Sequence, residues 1–262
     1  MIQPVQKPIW HYQIVSALAE QKIACHFFLS NGFTLLLIDD HALVIHLVDL
    51  DNNFAPTELL ALQHEHQQNG LKLIHLWEDV WQSRQQQVCF RIFSILRLNK
   101  RIHGRKTNVI KLDKLNAATF LNDNHLQGYV SSRYKLGLAE NQKLVAVATF
   151  SALRKMNYEP NYKSAELIRF AVKAGYSVSG GLSKLIRYFY QVYQPNDLMS
   201  YADRDWSAGE VYIKLGFKST AQLDAQKFGL DESGHRSLIN NDSIHYNQTV
   251  FNTGSIKFIL KF

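Results

Sequence analysis

The chain has 262 residues, 46% hydrophobic and 19% charged, with a formal charge of +7 at pH 7. That length suits one large domain or two modest ones, and no stretch approaches the unbroken apolar run of about 20 residues that spans a membrane. The opening M-I-Q-P-V-Q-K-P-I-W lacks a charged region ahead of an apolar core, so no secretory signal is expected. Cys25 and Cys89 are the only cysteines and match no metal-ligand spacing, which suits two buried thiols in a reducing, cytoplasmic setting.

Taken in order, residues 11–22 predict a helix. Phe33–Ile38 and Ala42–Leu50 are apolar runs about Asp39-Asp40-His41 and predict a hairpin. Thr57 is the expected N-cap of a helix through Gln68, with Glu58 in its first turn and Asn69-Gly70 as its stop. Leu71–Trp77 predicts a buried strand. Gln82–Leu98 predicts a helix with Val88, Ile92, Ile95 and Leu96 on one face.

Arg91, Arg97, Lys100, Arg101, His103, Arg105, Lys106 and Lys111 then crowd one segment with no acidic residue before Asp113. Residues 99–113 are expected to form a basic linker between a first domain (1–98) and a second (114–262). Arg97, Lys100, Arg101, Arg105 and Lys106 are the candidate contacts to nucleic-acid phosphates, with DNA as the expected partner. A solvated helix end and loop is the plainer account of the same cations.

Beyond the linker come a short helix (Leu115–Leu121), the stretch N-D-N-H-L-Q-G with His125 as a capping or packing residue, and strands near Tyr129–Leu138 and Lys143–Ser151. The turn between those strands is placed at Ala139-Glu140-Asn141-Gln142. A loop from Met156 to Lys163 leads to a strand bearing Glu166 and Arg169. The amphipathic helix 182–193 carries Leu182, Leu185, Ile186, Phe189 and Tyr193 along one stripe, with Lys184, Arg187 and Gln191 opposite. D-L-M-S-Y-A-D is the next strand, and a short helix closes on Gly216-Phe217. The tail 219–262 is expected to add strands, Ser255–Leu260 among them.

Val178, Gly180, Gly181, Ser183 and Lys184 surround the start of the amphipathic helix. A glycine turn there exposes backbone N–H groups with the helix dipole behind them, a setting for phosphate or pyrophosphate. Polar residues at the end of the following strand lie where open α/β sheets bind ligands.

Strand, Gly-Gly turn, helix and a final Y-I-K-L-G-F together resemble the core of the GNAT acyltransferases, a mixed sheet with splayed central strands. The resemblance implies an acyl-CoA or related activated donor, Tyr212 as the acid that protonates the leaving thiolate, and Glu166 as general base. Tyr176-Ser177-Val178-Ser179-Gly180-Gly181 departs from the family's Q/R-x-x-G-x-G/A pyrophosphate loop: it lacks the leading basic or amide residue, and its glycines are adjacent. A phage-associated GNAT-like group, including Mom-type DNA-modification proteins, is closer in pattern. Its E-x-x-R, serine-bearing helix start, S-Y-A-D and G-x-x-Y correspond to Glu166 and Arg169, Ser183, Ser200–Asp203, and Gly209 with Tyr212. That group implies Arg169, Tyr201 and Asp203 as further site residues. For Glu166 and Arg169, three apart, to share a face, their strand must bulge.

Leu73-Ile74-His75-Leu76-Trp77-Glu78-Asp79-Val80-Trp81 resembles the I-H-I-F-E-D-E-W signature of phage proteins related to very-short-patch-repair and other PD-(D/E)xK endonucleases. This implies a small restriction-endonuclease-like α/β first domain. His46 stands where that pattern carries a metal-binding carboxylate, so a degenerate, DNA-contacting domain is expected. An active Mg²⁺-dependent nuclease, with Asp39, Asp49, Glu78 and Asp79 as candidate ligands, is the alternative. The function expected from the whole is a transferase modifying a nucleic-acid base amine or another amine. A metal-dependent endonuclease or a non-catalytic DNA-binding protein are the alternatives.

Overall fold

A computed structural model describes residues 7–157, 159–239, 246 and 248–262. The first six residues, on which the expectation about a secretory signal falls, Tyr158 of the Met156–Lys163 loop, and part of the tail lie outside the described residues. None of the described helices is long and apolar enough to cross a membrane.

The chain divides into two compact units. One holds residues 1–89, 203–207 and 224–255; the other holds 90–202, 208–223 and 256–262. Both units are discontinuous, so the expected division at 98 and 114 does not follow the packing.

The first unit opens with α1 (Ile9–Glu20), followed by β1 (Cys25–Ser30), β2 (Phe33–Ile38) and β3 (Leu43–Val48). Next are α2 (Pro56–Gln68), β4 (Lys72–Trp77) and the N-terminal part of α3 (Glu78–Ile95). The four strands form one sheet in the order β1-β2-β3-β4; the first three are antiparallel, and β4 runs parallel to β3. The β2–β3 hairpin is as predicted. The partner strand β1 carries too little alternation to be visible in sequence. All six residues of β3 are buried, which fits its unbroken apolar run.

Helix α2 begins with Pro56 in its first turn, and Glu58 accepts from the Ala55 N–H at 2.7 Å. The cap is therefore at Ala55 and not Thr57. Helix α3 starts earlier than predicted, directly after β4, and kinks at Arg84 (φ −142°). A three-stranded sheet of β14 (Lys227–Leu230), β15 (Arg236–Leu238) and β16 (Thr249–Phe251) completes this unit. Leu230 and Val250 join its core with Leu35, Val44, Leu59 and Trp77.

In the second unit the basic segment is not a linker. It forms β5 (Lys100–His103), a 3-10 turn (Gly104–Lys106) and β6 (Asn108–Lys111). The polar, cationic sequence hides these strands because, apart from the buried Ile102 and the half-buried Val109, their side chains face solvent while the backbone groups are paired. Then come α4 (Lys114–Asn124), β7 (Tyr134–Glu140), β8 (Lys143–Phe150) and the two-residue β9 (Arg154–Lys155). Asp113 caps α4 by accepting from the Asn116 N–H at 2.7 Å. The chain continues through β10 (Lys163–Val172), β11 (Tyr176–Ser179), α5 (Gly181–Tyr193), β12 (Asp197–Asp203) and α6 (Glu210–Lys214). It ends with β13 (Lys218–Leu223) and β17 (Ser255–Lys261).

The main sheet runs β13-β17-β12-β10-β8-β7-β6, with β9 added to β10. Leu182, Leu185, Ile186 and Phe189 of α5 press into it, where the Phe189 ring stacks on Phe150 at 4.0 Å. Helix α4 covers the other face through Ala117, Phe120 and Leu121, packed with Val147 and Ala171.

Candidate functional site at the parting of two strands

The site begins with a strand that cannot stay in register. Leu167 of β10 sits opposite Phe150 of β8, but Arg169 sits opposite Thr149, leaving Ile168 as an extra residue. Ala165 and Leu167 face the α5 core, so Glu166 between them faces the α4 side. Arg169 shares that side, because two residues further on Ala171 packs with α4. The bulge thus brings Glu166 and Arg169 to one face, as the sequence pattern requires.

On its other edge β10 pairs in parallel with β12 over Ser164–Glu166 and Asp197–Met199, after which the ladder stops. Ser200 enters the gap: its Oγ lies 2.9 Å from the Leu167 carbonyl oxygen and 2.9 Å from the Tyr212 hydroxyl. A carbonyl only accepts, so the single serine proton goes to Leu167 and Tyr212 donates to Ser200.

Tyr212 itself is placed by α6, whose N-cap Gly209 has φ +83°. A Cβ at Gly209 would fall 2.3 Å from the Phe258 ring, so only glycine lets α6 approach this closely. Burial raises the Tyr212 phenol above its ordinary pKa, against the opposing pull of the Ser200 hydrogen bond and the charges of Arg91 and Arg169. It stays protonated at neutral pH.

On the α4 side Tyr201 is 37% exposed. Burial and the Glu166 charge raise its pKa, while Arg154 opposes them. Arg154 Nη2 lies 3.5 Å from Glu166 Oε2. Arg169 braces the bulge: Nη1 donates to the Ile168 carbonyl at 2.9 Å and Nε to Gly128 at 3.3 Å. Asp203 is the last residue of β12. It belongs to the first unit, where its Oδ1 accepts from the Asp205 N–H at 3.0 Å and its carbonyl accepts from Trp206 and Ser207.

At the glycine turn, Gly180 is the left-handed N-cap of α5 (φ +73°), and no side chain caps the helix. The N–H groups of Gly181, Leu182 and Ser183 open the first turn without intrahelical acceptors. A Cβ at Gly181 would come within 2.8 Å of Val178 Cγ1, so Val178 packs beneath the turn. Strand β11 lies parallel to β5, and Arg101 Nε donates to Ser179 Oγ at 2.6 Å. Lys184, expected to face an anion, instead donates to the Gly104 carbonyl at 3.1 Å and to that of Thr107. It ties the basic segment to α5. Arg97, Lys100, Arg101, Arg105 and Lys106 are all exposed. Sequence reasoning left Ser200 without a role and missed Arg154. Ser200 was detectable as a polar residue in the buried phase of Leu198 and Ala202; a two-residue strand such as β9 leaves no periodic signal.

The alternative nuclease carboxylates do not converge on a metal position. Asp39 meets His26 at 2.8 Å, and Asp49 accepts from Trp10 and His11 at 2.8 and 2.9 Å. Glu78 accepts from the Leu50 N–H and from Gln82, while Asp79 holds Arg236 through two contacts of 2.6 and 2.9 Å. Among the described residues, no group of three or more His, Cys, Asp or Glu is arranged to hold a metal ion. His46 is buried against His75, their Nδ1 atoms 2.9 Å apart, and burial drives its pKa down to about 3. His125 serves a turn, accepting from the Gln127 N–H at 3.1 Å. Burial raises both free thiols, Cys25 and Cys89.

No protein-family model and no curated protein matches the sequence. Among solved structures, the chain is similar to a GNAT family acetyltransferase from Elizabethkingia anophelis with acetyl-CoA bound. There the identity is 12% and the TM-score 0.38, over 60% of this chain and 99% of that one. It is also similar to a Bacillus subtilis acetyltransferase in complex with CoA, at 14% identity and TM-score 0.37 over 60% and 99%. Arabidopsis thaliana NAA60 in complex with acetyl-CoA gives 9% identity and TM-score 0.41 over 60% and 98%.

Proposed function

We propose that this protein is a GNAT-type N-acyltransferase that moves an acyl group from an acyl-CoA to an amine. The observation that carries the reading is the parting of β10 and β12, with the Glu166 carboxylate on one face and the Ser200–Tyr212 hydrogen bond on the other. An acid and a base on opposite sides of one gap suit a displacement in which a proton is taken from one side and returned on the other. The donor supplies an activated thioester. Glu166 takes the proton of the amine as nitrogen bonds the acyl carbon, and Tyr212 gives its proton to the sulfur as the carbon–sulfur bond breaks.

The turn at Gly180 suits the donor's diphosphate: uncapped N–H groups open α5, nothing lies within 4 Å of a Cβ position at Gly180, and Arg101 of β5 reaches the turn at Ser179 as the candidate for the cation absent from the loop's first position. Thiol release from acetyl-CoA across an amine panel tests the reading. Glu166→Gln is expected to lower kcat by roughly 10²–10⁴; unchanged turnover refutes the assignment.

The finer reading, a nucleic-acid base amine as acceptor, is supported by the exposed row Arg97, Lys100, Arg101, Arg105 and Lys106 and by the net charge. Mass spectrometry of DNA from cells expressing the protein tests it, and the absence of any altered base counts against it. The first unit then serves as a degenerate, endonuclease-derived module contacting nucleic acid. Nicking assays with Mg²⁺ test the cleaving alternative.

A further inference from the structure

Arg154 of β9 reaches the candidate base from the neighbouring strand. The Arg154 side chain is 57% exposed, and its guanidinium reaches Glu166 at 3.5 Å, the long limit of a hydrogen bond. Such an exposed pair contributes little to stability, and the guanidinium keeps further N–H donors for other acceptors. An alkylamine arrives at Glu166 as an ammonium ion, and one proton must pass through the carboxylate to solvent before the free amine can bond the acyl carbon; while charged it shares that carboxylate with Arg154, so two cations are driven together. A carboxylate or phosphate on the acceptor resolves the conflict. It takes the guanidinium through a two-point contact and leaves Glu166 to the ammonium. A plain alkylamine offers Arg154 nothing.

Resting on the acyl-transfer reading, and taking an alkylamine in place of a nucleobase amine as acceptor, we propose that Arg154 determines acceptor specificity, selecting amines that carry a carboxylate or phosphate a few bonds from the nitrogen. The test compares α-amino acids with their amides, and 2-aminoethyl phosphate with 2-aminoethanol, using acetyl-CoA as donor. The wild-type protein is expected to prefer the charged member in kcat/KM by roughly 10- to 100-fold, the worth of a charge-assisted pair. Whichever arm shows the preference identifies the oxyanion. Arg154→Gln should abolish it, chiefly through KM, and Arg154→Lys should restore part. Lys155→Gln, on the opposite side of the same strand, should leave the preference intact.

Retention of the preference in Arg154→Gln overturns the proposal, as does wild-type acylation that ignores the oxyanion. Acetyl-CoA binding without acylation of any panel member overturns the acceptor class and leaves the donor reading standing. Neither binding nor acylation overturns both.

Discussion

Replacing Tyr212 with phenylalanine separates a catalytic phenol from a merely structural one. The ring keeps its neighbours Phe217 and Phe258, at centroid distances of 5.3 and 5.4 Å, and only the hydroxyl is lost. Ser200 still donates to the Leu167 carbonyl, so no buried donor is stranded and stability should fall by about 1 kcal/mol. If the phenol protonates the leaving sulfur, kcat falls roughly 10²–10⁴-fold, which corresponds to about 3–5 kcal/mol in the barrier. Urea denaturation gives the first quantity and thiol release at saturating substrates the second. The raised pKa of Tyr212 also places the loss of its proton above the ordinary phenol value of about 10. Its contribution to the basic limb of kcat should therefore lie above that pH and vanish in the variant. A kcat within about twofold of wild type, with the expected fall in stability, would refute the acid role and leave Tyr212 as packing.

Three further outcomes follow from the packing. Gly209→Ala puts a methyl group into the Phe258 ring at a left-handed position and should cost roughly 2–4 kcal/mol by calorimetry. Arg236→Met leaves the Asp79 carboxylate, 1% exposed, without its partner and should cost about 3–5 kcal/mol in urea, with much of the loss recovered by adding Asp79→Asn. The third concerns pH. His46 and His75 are both depressed by burial, His46 to about 3, so each stabilises the native state above about 6.5 and loses that contribution as pH falls. Asp205 is raised to about 7, mainly by burial and then by Asp203, so its contribution runs the other way, declining as pH rises from about 4 to 7. Asp205→Asn should therefore steepen the acid loss of stability between pH 6.5 and 4.5 by about 1.4 kcal/mol per pH unit. Denaturation curves with an unchanged slope would contradict this.

The helices and buried strands were legible because their apolar spacing states which face is covered. That holds for β2, β3, β4, β8 and α5, whose ends fall within a few residues of the sequence expectation. The bulge at Ile168 was inferable only from the demand that Glu166 and Arg169 share a face, since no residue type there announces it. The strands β5, β6 and β11 were illegible for the opposite reason: half-exposed or solvated side chains carry no alternation, and their pairing is a matter of backbone alone. Lys184 shows the limit at the site. A lysine in the first turn of a helix suggests an anion, yet two carbonyls from a segment nearly eighty positions earlier claim its ammonium.

The first unit gathers strands from both ends of the chain, and this has a consequence for biosynthesis. Arg236, which neutralises Asp79, lies 157 positions downstream. At about 5–20 residues per second, the nascent four-stranded sheet waits on the order of 10–30 s for its arginine and for the apolar cover of Leu230 and Val250. Throughout that interval the ribosome-bound chain presents an unsealed greasy surface with an acid embedded in it, a state in which chaperone capture competes with completion.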